Sequence, residues 1–263
     1  MALYFIERGN YSADSIVFVH GGVGLSSWMW DKQLEYFKEY HCIVPDLPEH
    51  GKSVMRGRLS IQGCADQIAE IIEKKANRGK AHIIGYSFGA KIILELLNSR
   101  PELVSSAIVA SALLRPVPVM RFSNSLGAFR LITHILKYKA IRGMLLRFLD
   151  FPDESYRINC LIELQGLTAN KLYRIFSDYC HNLELPQRVR EIEVPTLVIA
   201  GEKESVAMKR SVVDMVNTIP AAKGILLKNA HHTYPWSMHR TFNDIVGEWI
   251  SGKPITDKGV IHL

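Results

Sequence analysis

The string Gly85-Tyr86-Ser87-Phe88-Gly89 sets a serine between two glycines, each two residues away. Before it lies Ala81-His82-Ile83-Ile84, an apolar run of the length of a buried strand. After it, residues 90–98 (Ala-Lys-Ile-Ile-Leu-Glu-Leu-Leu-Asn) read as a helix. Ser87 therefore falls on a strand-to-helix turn, where a sharp backbone presents the hydroxyl and the glycines let strand and helix approach closely. The five-residue pattern alone is common; the strand–turn–helix context is what marks Ser87 as a candidate nucleophile.

A serine hydroxyl attacks poorly at neutral pH without a base, an acid to orient that base, and donors for the developing oxyanion. Ser15-Ile16-Val17-Phe18-Val19 runs into His20-Gly21-Gly22-Val23-Gly24. Glycines at a strand end allow the N–H of Gly22 or Val23 to turn toward a substrate oxygen, and Phe88 N–H, at a helix start, supplies a second donor. By itself this cluster is equally an ordinary turn. A phosphate loop is the weaker alternative, because Gly51-Lys52-Ser53 needs a glycine where Asp46 stands. For the base, the strand-like Gly224–Lys228 leads into Asn229-Ala230-His231-His232-Thr233, and either histidine qualifies. The acid belongs between serine and histidine in chain order. Pro195-Thr196-Leu197-Val198-Ile199-Ala200 leads into Gly201-Glu202-Lys203-Glu204, where either glutamate qualifies. The run ending at Ala110 is followed by Ser111 and offers no carboxylate.

Taken together, these motifs resemble the α/β-hydrolase superfamily over nearly the whole chain. His20-Gly21-Gly22 looks like its oxyanion motif, and residues 46–53 (Asp-Leu-Pro-Glu-His-Gly-Lys-Ser) are similar to its Asp-x-x-Gly-x-Gly-x-Ser loop. Gly201-Glu202-Lys203-Glu204 is similar to Gly-x-x-Asp, and Asn229-Ala230-His231-His232 looks like Asn-Ala-Gly-His. The resemblance implies a triad of Ser87, Glu204 and His232, an oxyanion hole of Gly22, Val23 and Phe88, and no cofactor or metal. Four positions depart from the pattern. Glu204 stands for Asp, Glu49 and His231 for glycines, and Ala90 for a second glycine after the elbow. The implied activity is hydrolysis of an ester-like bond in a small, largely apolar or aromatic substrate through an acyl-enzyme. The rival is a lyase or carbon–carbon bond hydrolase acting on an anionic substrate. The string from Gly85 to Lys91 is similar to that of the succinyl-cyclohexadiene carboxylate synthases, with Lys91 at their arginine. A non-enzymatic binding protein ranks last.

The elements that must position these residues follow from the patterning. The 263 residues suffice for one core with an insertion, and 48% hydrophobic with 22% charged residues is an ordinary globular composition. Strands are expected at Leu3–Glu7, Ile16–His20, His41–Pro45, Ala81–Gly85, Ser106–Ala110, Thr196–Ala200 and Gly224–Lys228, and a last helix at Met238–Ile250. Their alternation with helical stretches predicts an α/β fold, a mostly parallel doubly wound sheet. The strand signal vanishes after Ala110, so 113–186 is expected to be a helical cap inserted into a core of 1–112 and 187–263. The tail after Ser251 carries no pattern.

Charge and cysteines bound the setting. The net charge is +6, and from Arg115 to Arg147 there are seven basic residues and no Asp or Glu. Interleaved apolar residues at helical spacing give a basic amphipathic stretch. A lid helix is the preferred reading and contact with an anionic membrane surface the lesser one. No nucleic-acid-reading motif is present, so the expected partner is a small-molecule substrate. No basic-then-apolar leader opens the sequence, and the longest apolar stretch, near Ala107–Leu114, ends at Arg115. Cys42, Cys64, Cys160 and Cys180 are scattered, as reduced thiols of a cytoplasmic protein would be.

Overall fold

The computed structural model describes residues 3–53, 59–116, 125–181, 183–256 and 259–263. Its strands are β1 (Phe5–Gly9), β2 (Ser15–Val19), β3 (His41–Pro45), β4 (Ala81–Tyr86), β5 (Val104–Ala110), β6 (Thr196–Gly201), β7 (Ala222–Leu227) and β8 (Val260–His262). They form one sheet in the order β1-β3-β2-β4-β5-β6-β7-β8. The strands from β3 to β7 in that order run parallel, and both edges are antiparallel.

Alternate side chains along the central strands point to opposite faces, and both faces are buried, which is why the strands read as continuous apolar runs. Val17, Ile83, Val109 and Val198 enter one core, and Phe18, Ile84, Ile108 and Ile199 enter the other. The first core is closed by α2 (Ile61–Lys75), α3 (Phe88–Ser99) and a helix at Val206–Thr218. The second is closed by Trp30, just before α1 (Asp31–Tyr36), and by the helix at His239–Ile250 with Phe242 and Ile245. Each fully buried side chain of this size contributes about 1.5–3 kcal/mol. The fold is the doubly wound α/β class that the patterning predicts.

Between β5 and β6 the described residues form four α-helices: α4 (Leu126–Ile135), α5 (Lys139–Phe148), α6 (Glu154–Gln165) and α7 (Ala169–His181). The later helices are α8 (Val206–Thr218), α9 (Tyr234–Ser237) and α10 (His239–Ile250). Side-chain caps set several starts: Ser60 accepts from Gly63 N–H, Ser125 from Ala128 N–H, and Asp153 from Ser155 and Tyr156 N–H. The inserted helices are tied to the sheet. Ile175 and Tyr179 of α7 join the first core, and Tyr156 of α6 joins the second. Trp236 Nε1 donates to Leu149 O at 2.7 Å, and Arg174 Nε pairs with Glu49 Oε1 at 2.7 Å. None of the helices is long and apolar enough to cross a membrane, among the described residues.

Several elements differ from the sequence reading: β5 and β7 each begin two residues earlier than expected, at Val104 and Ala222. The first strand sits two residues later than expected, because Phe5–Gly9 pairs antiparallel with β3 in the register Phe5↔Pro45. The tail, in which no pattern was legible, forms β8 against β7. Three residues carry too little periodicity to be read locally; the open edge of β7 recruits them.

Candidate active site

Ser87 follows β4 directly and caps α3 with φ 53° and ψ −108°, a backbone conformation most residues avoid. Its own N–H donates to Ala110 O at 2.8 Å, which pins the turn to the end of β5. Both flanking glycines are sterically required. A Cβ on Gly85 would meet the Gly89 carbonyl, and one on Gly89 would collide with the carbonyl oxygens of Val19 and His20. The turn thus wedges α3 against the end of β2, where Gly22 and Val23 lie, and holds Ser87 only partly buried.

Glu204 and His232 face each other from neighbouring loops after β6 and β7. Glu204 Oε2 is 2.7 Å from His232 Nδ1. The other oxygen, Oε1, accepts from Gly201 N–H at 2.8 Å and from Ser111 Oγ at 2.7 Å. The methylene that glutamate adds over aspartate is taken up by this fold-back onto its own loop. Burial alone opposes ionisation of Glu204, whose side chain is 4% exposed. The hydrogen bonds and charge of His232, with Gly201 N–H and Ser111, outweigh burial and hold its carboxyl below the usual range. A carboxylate on Nδ1 favours the tautomer with its proton there, leaving Nε2 as the acceptor. Glu202 is directed elsewhere: its Oε2 accepts from Asn229 N–H at 2.7 Å.

Two further residues join this arrangement that the motifs did not single out for a role. Tyr86, fully buried beside Ser87, donates from its hydroxyl to His232 O at 2.7 Å, and its ring lies 4.9 Å from the imidazole. A Cβ on Gly21 would press on that ring, so this glycine admits Tyr86. Ser111 is buried at φ 55° and links Glu204 to Tyr234, whose hydroxyl is 3.1 Å away. An aromatic residue before the elbow serine was the available signal for Tyr86; for Ser111 there was none.

Ser87, Glu204 and His232 border a single cavity of about 780 Å³, together with Gly22, Val23 and Phe88. The remaining wall is largely apolar and includes Leu113, Phe148, Ile175, Phe176, Tyr179 and Met208. Among the described residues no group of His, Cys, Asp and Glu side chains could hold a metal ion. The arrangement provides a hydroxyl on a strained turn, an imidazole oriented by a carboxylate, and an apolar chamber beside them.

The loop 46–53 is a scaffold for this region. Asp46 accepts from Ser27 N–H and Lys52 N–H, and Ser53 Oγ donates to Asp46 O. Glu49 adopts φ 71°, the left-handed conformation that a glycine would take without strain. Behind the loop, the rings of His20 and His50 lie 5.0 Å apart, fully buried. Burial pushes His20 down to about 4 and His50, with His20 beside it, to about 3. Unfolded, each ring takes a proton near 6.5, so below that pH the unfolded chain binds more protons and the fold loses stability as pH falls. The expected loss at pH 5 is about 2 kcal/mol per ring. Urea midpoints from pH 8 to pH 5 check this, and a midpoint that stays flat between pH 7 and 5 contradicts neutral burial.

Residues 14–237 match the family described as alpha/beta hydrolase fold. The chain belongs to that family. It is 27% identical, over 96% of its length and 86% of the relative's, to an AB hydrolase superfamily protein of Gibberella zeae. It is 25% identical, over 95% of each chain, to the (E)-2-((N-methylformamido)methylene)succinate hydrolase of Acinetobacter baylyi. Its structure superposes with a TM-score of 0.79 on an alpha/beta hydrolase enzyme from a Medee basin deep-sea metagenome library, at 17% identity and covering 97% of this chain and 96% of that one.

Proposed function

We propose that this protein is a serine hydrolase that cleaves an ester-like bond in a small, largely apolar or aromatic substrate through an acyl-enzyme. The observation that carries this reading is the 2.7 Å contact of Glu204 with His232 on the cavity that also holds Ser87. His232 Nε2 takes the Ser87 proton as Oγ attacks the carbonyl. The N–H groups of Phe88 and of Gly22 or Val23 hold the oxyanion. His232 then protonates the leaving group and activates water to release the acid, while Glu204 keeps the imidazole in one tautomer throughout. The helices between β5 and β6 serve as a cap whose Phe148, Phe176 and Tyr179 supply the apolar wall. Among the described residues, Cys42, Cys64 and Cys160 are buried thiols outside any disulfide, which suits a reducing compartment such as the cytoplasm.

A second reading keeps the same three residues and turns them to elimination or carbon–carbon bond hydrolysis on an anionic substrate. It is favoured by Lys203, which borders the cavity next to Glu204, and by the substrate named for the Acinetobacter relative, a succinate derivative.

Incubating the purified protein with a fluorophosphonate tests the main reading. The expected result is one covalent adduct, located by peptide mass spectrometry on Ser87. Folded protein that takes up no probe at Ser87 overturns it.

A further inference from the structure

Lys203 borders the cavity and is exposed, and the proposed chemistry leaves its charge unused. Of the described residues that border the cavity, Lys203 alone is a lysine or arginine. Lys203 sits at the turn between β6 and α8, with its N–H donated to Ala230 O at 2.9 Å. That bond joins it to the loop carrying His232, and the next residue is Glu204. Its position is therefore set by the same backbone that sets the acid and the imidazole.

The neighbouring carboxylates are committed elsewhere. Glu204 is spent on His232, Gly201 and Ser111, and Glu202 accepts from Asn229 N–H. Among the described residues no carboxylate pairs with the Lys203 ammonium. Three cations close in sequence to wall residues have other partners. Arg174 is held by Glu49, Arg115 by Asp214, and Lys209 Nζ donates to Glu202 O. Arg130, Lys137, Lys139, Arg142 and Arg147 of the inserted segment do not border the cavity. Among the described residues, the lysine on the cavity border thus belongs to the sheet's own loop and not to the inserted segment.

We propose that Lys203 is a subsite for a carboxylate on the substrate, so that the preferred ester-like substrate is an acid whose apolar part fills the chamber. This rests on the serine-hydrolase reading and deepens it. A lone ammonium at the rim of an apolar cavity attracts an anion more strongly than in bulk water, because the apolar wall lowers the local dielectric. A neutral substrate leaves the ammonium in water at no cost. Selectivity therefore comes from the anion's added attraction, and it weakens with salt to the extent that the pair stays exposed.

Two pairs of chromogenic or fluorogenic esters test this, each matched in size and differing in one carboxylate. Mono-p-nitrophenyl glutarate is compared with p-nitrophenyl pentanoate, and 4-acetoxybenzoate with its methyl ester, at low and high salt. The wild-type protein is expected to favour the anion of at least one pair in kcat/KM by about tenfold, equivalent to 1.4 kcal/mol. In Lys203→Gln that ratio should fall to near one, chiefly through KM, and in Lys203→Arg it should persist. Lys203→Glu should reverse it. A ratio unchanged in Lys203→Gln, or no preference in the wild-type protein, overturns the subsite while leaving the serine chemistry intact. Equal losses on both members of each pair overturn it too, since they show a residue that only positions Glu204. A protein that neither turns over these esters nor takes up the fluorophosphonate at Ser87 overturns the hydrolase reading and the subsite together.

Discussion

Ser87→Ala is expected to leave the protein folded and to lower kcat on the order of 10⁴-fold or more. The substitution removes only the hydroxyl. The turn at φ 53° is held by the Ser87 N–H bond to Ala110 O and by the close approach of Gly89 to Val19 and His20, and none of these uses the side chain. Thermal unfolding should therefore move by no more than a few degrees. Turnover should collapse, because no acyl-enzyme can form and a bound water lacks the same position. Steady-state rates on the best ester, with unfolding curves on the same samples, check it. Residual activity within tenfold of the wild-type protein would show that the chemistry runs without Ser87.

His232→Ala should cost a comparable factor, with His231→Ala within about tenfold of the wild-type rate. Both imidazoles border the cavity and both are exposed, so neither burial nor access separates them. What separates them is orientation. His232 Nδ1 is 2.7 Å from Glu204, and its carbonyl is held by the Tyr86 hydroxyl at 2.7 Å. A base without a carboxylate behind it lacks both a fixed tautomer and a partner for its charged form. The measurement is kcat for both variants on one ester across pH. If the two ranked in the opposite order, proton transfer would belong to His231 and the contact with Glu204 would be structural.

The fold was legible because its signals are local and repeated. Buried parallel strands must be apolar on both faces, so runs such as Ser15–Val19 and Thr196–Gly201 stand out between helical stretches. The edges were less legible. Phe5–Gly9 carries charged residues, and Val260–His262 is too short to show a period. Their placement depends on β3 and β7 offering open edges, which local sequence does not encode.

Within the site, the sequence alone determined the strand–Ser87–helix turn, the glycines at 85 and 89 that permit it, and the two loops from which a carboxylate and an imidazole can reach. Inspection of those residues left Glu202 against Glu204 and His231 against His232 open; only resemblance favoured the second of each. Tertiary structure decided which side chains meet. Glu204 folds back onto Gly201 N–H and Ser111 Oγ and turns its free oxygen to His232, while Glu202 is drawn to Asn229. Tyr86 and Ser111 join the site from positions 146 and 93 residues away from their partners in sequence. The physical reason is that a turn is dictated by the allowed angles of a few adjacent residues. The direction of a loop side chain is dictated by which donors and acceptors distant strands bring within about 3 Å of it.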